Sequence, residues 1–510
     1  MMVNILTWLV FIPLIGALLI LTIPKENVNV IRSLAVMTSG IALIISLVVW
    51  AGFERGVSGL QYATTSEWFN IGYLQFNFEI GVDGLSVPLL VLTTIVTTLA
   101  MFASFSIEKR VKEFYIWTLV LLTGMLGVFV SLDMLLFFLF FELTLIPMFF
   151  LIGIWGGKAK EYASFKFLIY TGLGSAIMFM TFIAMFYVAF EAMNYQNTTF
   201  SMIVMAEIFA NPANPEVLTG AVKGGLFLAL FVAFAIKLPV FPFHTWLPNA
   251  HVEAPTAVSM ILAGVLLKMG GYGLIRIGIG ILPDQAARFA TLIAILGVIN
   301  IVYGAYLALV QTDLKSLVAY SSISHMGIVL IGIASFTTVG MQGAVFQLVS
   351  HGFISALLFF MVGAIYERTK TRTISELGGI SKSVPILAGF MLAAAMASAG
   401  LPGLSGFVSE LLALIGIFGA SADILPHAAT FGVLAGFGII LTAAYLLWAM
   451  QRTTFGPMKD KFIGLPDARP MEYVPMIGLL ALSIVIGVYP HILSDVINTT
   501  VIDIVSKIGG

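Results

Sequence analysis

The chain has 510 residues, 60% of them hydrophobic and only 10% charged, with a formal net charge of −1. A soluble domain carries nearer ~45–50% apolar and ~25% charged residues, so this composition excludes a water-soluble protein and points to a polytopic membrane protein. The balanced charge excludes a nucleic-acid-binding basic face, and zero cysteines exclude disulfides, thiol catalysis and cysteine-held iron–sulfur clusters.

A helix crossing a bilayer takes ~20 mostly apolar residues, and about fourteen such stretches follow one another along the chain. Their apolar runs are continuous rather than alternating, which argues against transmembrane strands. The expected fold class is an all-α polytopic membrane protein of about 14 transmembrane helices. Span one, 4–23, has no basic residue before Lys25 and reads as an uncleaved span rather than a signal peptide. Spans at 33–52, 84–106 and 114–132 follow, with a non-spanning stretch at 53–82. Asp83 and Asp133 stand near span ends, where solvated or capping roles are expected. Span five, 134–154, holds Glu142, and span six covers 164–190. A turn-rich connection at 191–221 leads to span seven, 222–241, which holds Lys237. Span eight, 255–280, holds Lys268; spans nine and ten, 287–310 and 314–335, bring His325; span eleven, 340–366, brings His351. The stretch 385–420 is too long and Gly-rich for one straight helix, so it reads as a single broken span twelve, with Glu410. Spans at 430–451 and 472–490 complete the set.

Seventeen of the 24 lysines and arginines fall in loops after odd-numbered spans, and five, Arg276 among them, on the other side. Lys237 and Lys268 fall inside spans. The excess of basic residues then places both termini outside. No Walker A loop and no G-x-G-x-x-G after a strand is present, so no nucleotide site is expected.

An ionisable group at membrane depth costs ~2.5–3.5 kcal/mol on insertion scales. Glu142, Lys237, Lys268, His325, His351 and Glu410 lie on six different spans. Structural ion pairs would explain one Glu–Lys couple; six costly groups fit an ion pathway better. A bis-histidine haem competes for His325 and His351, yet their Ser and Gly neighbours favour a hydrogen-bonded proton relay. His244 and His251, near the basic mouth, read as entry residues or ordinary loop histidines.

Two spans are interrupted beside a charge, at Lys237-Leu238-Pro239 and at Gly400-Leu401-Pro402-Gly403 ahead of Glu410. Irregular backbone is tolerated at membrane depth only where protein or water satisfies it, and paired interruptions point to inverted repeats. Spans four to eight and nine to thirteen are two sets of five, and an odd number inverts the second. The expected organisation is three leading helices in 1–110, a first repeat in 111–281 broken near 238–243, a second in 282–452 broken near 400–407, and a final helix and tail in 453–510.

The segments FPFHTWLPNAHVEAPTAVSMILAGVLLKMGGYGLIRI (241–277), DLKSLVAYSSISHMGIVLIGI (313–333) and GLPGLSGFVSELLAL (400–414) closely resemble the antiporter-like membrane subunits of respiratory complex I, the NADH-quinone oxidoreductases, and the likeness runs from about residue 80 to 455. Glu410 resembles the M branch of that family, because the L and N branches and the related Mrp sodium/proton antiporters usually carry lysine there. GIWGGKAKEYASFKF (153–167) is similar to that branch too. The resemblance implies a proton-translocating role for Glu142, Lys237, Lys268, His325 and Glu410, with Glu142 paired to Lys237. It also implies an energy-transducing membrane (in a bacterium the inner or cell membrane), other membrane-arm subunits as partners, and no cofactor in this chain, with flavin, iron–sulfur clusters and quinone held by partner subunits. A self-standing cation/proton antiporter, a ferredoxin- or hydrogenase-linked relative and an integral redox subunit are the alternatives.

Overall fold

A computed structural model describes residues 4–71, 74–194 and 199–508. Residues 195–198 of the long connection, and the chain ends whose side was read from the charge count, lie outside the described residues.

The apolar runs form helices, and polar residues start them. Span one (Ile5–Thr22) is capped by Asn4, which accepts from Leu6 N at 3.0 Å. Span two (Val28–Gly52) leads into an antiparallel hairpin, Gln61–Ile71 with Leu74–Val82, inside the stretch read only as non-spanning, so the chain is not all-α. Its run of aromatic and β-branched residues alternates with polar ones, a pattern that a search for long apolar stretches passes over. Spans three (Ser86–Ala103), four (Val111–Val130), five (Met134–Trp155) and six (Lys160–Ala192) follow. Span seven is broken into Gly220–Lys237 and Trp246–Glu253. Span eight (Thr256–Ile279) is helical throughout, with two π stretches, Leu262–Leu266 and Leu274–Ile279, on either side of Lys268. Spans nine (Ala290–Leu309), ten (Leu314–Ala334) and eleven (Thr338–Thr369) precede the broken span twelve, Pro385–Ser398 and Ser405–Phe418. Spans thirteen (Ala428–Thr453) and fourteen (Tyr473–Val488) end the set, and a further helix, His491–Ser506, packs against span eleven and the start of span three. There Thr500 accepts from Gly84 N at 2.9 Å.

Spans eight and eleven are wholly buried over their most apolar stretch and span ten is 94% buried, against 39%, 33% and 28% for spans one, two and fourteen. The helices bearing Lys268, His325 and His351 are therefore the innermost ones. A charge there meets protein, not lipid.

The starts of spans five and ten share one detail. Asp133 caps span five, accepting from Leu135 N and Leu136 N at 2.8 and 3.0 Å. Asp313 caps span ten in the same way, from Lys315 N and Ser316 N at 2.8 and 3.0 Å. Each cap lies in a short bridge. Met134 N donates to Phe200 O and Met202 N to Leu132 O, both at 2.8 Å. Leu314 N donates to Arg372 O at 2.9 Å and Ile374 N to Thr312 O at 2.8 Å. The first bridge lies on the hairpin face and the second on the opposite face.

The break in span seven is closed by side chains. Trp246 Nε1 donates to Ile236 O at 2.8 Å. Asn300, on span nine, accepts from Phe241 N at 2.7 Å and donates to Pro239 O at 3.2 Å. Asn300→Leu is expected to strand both backbone groups, at about 1–3 kcal/mol each. Thermal unfolding of the assembled protein should show a clear loss of stability; an unchanged midpoint would mean that water replaces the amide.

Candidate proton-transfer site

Four side chains from spans eight, ten, eleven and twelve meet inside the bundle. Lys268 is fully buried and donates to Ala263 O on its own helix. The same Nζ lies 2.8 Å from His351 Nδ1. The His351 ring stands 5.3 Å, centre to centre, from that of His325. His325 Nδ1 in turn lies 3.5 Å from Glu410 Oε1. Lys268, His351, His325 and Glu410 are all at most 4% exposed. A cavity with ≈ 10 Å³ of space for water, about one molecule's worth, lies between His325, His351, Ser398, Gln347 and Glu410.

Three polar neighbours that the sequence did not single out complete the site. Ser398 lies 3.0 Å from His325 Nε2, Gln347 Nε2 lies 3.3 Å from His325 Nδ1, and Ser409 donates to Gln347 Oε1. His325 Nδ1 can serve one neighbour at a time. As a bare nitrogen it accepts from Gln347; as an N–H it donates to Glu410. A proton arriving on His325 thus changes its partner. The bis-histidine haem alternative meets a crowded site: both His325 nitrogens have polar neighbours, and His351 Nδ1 faces Lys268. Gln347 stands four residues before His351, on the same helix face, and that spacing was the available signal.

Span twelve shapes the Glu410 end. Gly400 adopts φ +74°, and a Cβ there would lie 2.6 Å from Glu410 Oε2. The turn can thus close over the carboxyl only with glycine.

The Glu142–Lys237 contact is looser than expected. Among the described residues no ion pair within 4.0 Å joins Glu142 to Lys237. Lys237 is buried over the rings of Phe141 and Phe167, 4.9 and 5.6 Å from their centres. Glu142 Oε2 is buried without a hydrogen-bond partner. Aromatic faces take the place of the carboxylate as direct contact for the cation. Gly270 and Gly273, beside Lys268, let span eight press on span seven: a Cβ at Gly270 would lie 2.7 Å from Leu238 N, and one at Gly273 2.3 Å from Phe234.

Other charges move from loop to core. Arg276, counted among loop residues, lies at the end of span eight and meets Asp83 at 2.6 Å. Asp83 also caps Leu85 N and Ser86 N but is buried rather than solvated. Burial raises its proton affinity, yet Arg276 outweighs it and holds the carboxyl below its ordinary value. His244 and His251 are also buried, not open at a mouth. His251 stacks on Phe359 at 4.3 Å, and both its ring nitrogens lack partners.

With this geometry in place, residues 131–438 match the family described as NADH:quinone oxidoreductase/Mrp antiporter, transmembrane. The chain belongs to that family. It is 41% identical to NADH-quinone oxidoreductase subunit M of Rhodobacter capsulatus, over 99% of this chain and 97% of the relative. It is 43% identical to an NAD(P)H-quinone oxidoreductase chain 4 of Picosynechococcus sp., over 99% and 92%. In shape it is similar to a chain of respiratory complex I from Thermus thermophilus, with TM-score 0.85 and 28% identity over 99% of this chain and 100% of that one.

Proposed function

We propose that the chain is the M-type, antiporter-like subunit of the membrane arm of an NADH:quinone oxidoreductase, and that it moves protons along its buried charges, driven by redox chemistry in partner subunits. The observation that carries this reading is the side-chain line Lys268–His351–His325–Glu410 on the innermost helices, in which the two histidine rings stand 5.3 Å apart, centre to centre. In it Lys268 supplies a proton, the two histidines relay it, and Glu410 is the terminal acceptor. Glu142 and Lys237 form the entry side of the first repeat, taken as 111–281, with the second as 282–452. The hairpin face is the outside of an energy-transducing membrane, and both termini lie on it.

The test has two readouts. Purified from its own membranes, the chain should comigrate with flavin- and iron–sulfur-bearing partners, and the assembly in vesicles should take up protons when given its electron donor. Glu142→Gln should abolish that uptake while assembly persists. A monomer that exchanges cations for protons by itself would replace this reading with a self-standing antiporter, and full pumping by Glu142→Gln would leave Glu142 a structural group.

A further inference from the structure

The two Asp-capped bridges have the same backbone and opposite electrostatics. On the face away from the hairpin, Asp313 Oδ2 receives an ion pair from Arg372 Nε at 3.2 Å. The residue equivalent to Arg372 on the hairpin face, by its hydrogen bond to the first residue of the span, is Phe200. Phe200 is 1% exposed and stacks on Phe76 and Phe186. Among the described residues no cation takes its place. Asp133 is 1% exposed, and its Oδ2 is buried with no partner.

A second acid lies where the cation is missing. Glu79, on the inner strand of the hairpin, is 8% exposed, with Oε2 buried and unpartnered. Its other neighbour is the Ser201 hydroxyl, which donates to it. Backbone contacts fix the arrangement: Leu132 N donates to Glu79 O at 2.9 Å, and Ile80 bridges Ser131. The groups facing Asp133 are therefore Glu79 from the hairpin, Ser201 from the connection after span six, and the Leu135 and Leu136 amides of its own helix. Among the described residues no Lys, Arg or His pairs with either acid within 4.0 Å.

We propose that Asp133 and Glu79 form a proton-binding site on the hairpin face, separate from the buried line, in which a bound proton replaces the missing arginine and holds the hairpin to the head of span five. Two carboxylates buried side by side without a cation cannot both stay charged, and a proton is the smallest ligand that relieves them. Burial pushes the Asp133 carboxyl up to about 7, with the two amides opposing and Glu79 adding to the rise. Burial raises Glu79 as well, against its Ser201 bond. The sign follows. A carboxyl that binds its proton more tightly in the folded protein than its ordinary 3.8 contributes most at low pH, and the contribution is lost as pH rises through about 7. The contact between hairpin and span should therefore loosen on the alkaline side.

Infrared titration of the assembled complex across the neutral range tests the site. The expected result is a protonated-carboxyl band with a midpoint near 7 that vanishes in Asp133→Asn and moves to lower pH in Glu79→Gln. The asparagine keeps the capping oxygen, so the fold is retained. Hydrogen exchange in the hairpin of the unaltered complex, which needs no variant, should rise with pH more steeply than chemical exchange alone. A band unchanged in Asp133→Asn, a midpoint unmoved by Glu79→Gln, or hairpin exchange that follows the chemical rate would each overturn the proposal.

Discussion

Lys268→Ala is expected to cut proton-coupled turnover by on the order of 10²-fold, the low end of what a positioned proton-transfer group contributes. Lys268, on span eight, stands at one end of the buried line. Its ammonium touches only Ala263 O and His351 Nδ1, and among the described residues it has no acidic partner. Alanine removes the donor and leaves His351 facing an apolar gap. Lys268→Arg keeps a charge but spreads it over a planar group that matches this point contact poorly, so only partial activity should return. The measurement is proton uptake by the assembled complex alongside its partner content. If Lys268→Ala failed to assemble, its role would be packing.

Glu410→Gln should block proton delivery at the far end and preserve the fold, since the amide keeps the shape beneath Gly400. An amide cannot take the proton that His325 Nδ1 presents. His325 would then be left on its Gln347 contact, 3.3 Å away, with no charged acceptor to switch to. Proton uptake should fall by on the order of 10²-fold, and the proton-to-electron ratio with it. A normal ratio in Glu410→Gln would place this residue off the pathway.

Much of this was legible from one rule, that charges are costly where no water reaches. Apolar length located the spans, and Lys268, His325, His351 and Glu410 stood out as polar breaks within them. Pro239 and the Gly400 turn marked the interruptions because both forbid a continuous helix. What escaped was whatever depends on approach between distant segments. Asn300 and Gln347 are common residues whose meaning lies in the partner they reach. The glycines of span eight give no sign of close contact until span seven is placed against them. Glu142 and Lys237 have opposite charges on neighbouring helices, but Phe141 and Phe167 line the lysine instead. The hairpin was missed because its signal has period two.

Asn300 also constrains how the protein is made. The chain is synthesised from its N-terminus, so span seven enters the membrane before span nine exists. Until residue 300 arrives, the amide of Phe241 and the carbonyl of Pro239 have no partner, a state that hydrocarbon does not tolerate. The break in span seven is therefore completed only once a side chain encoded some sixty positions downstream has been made.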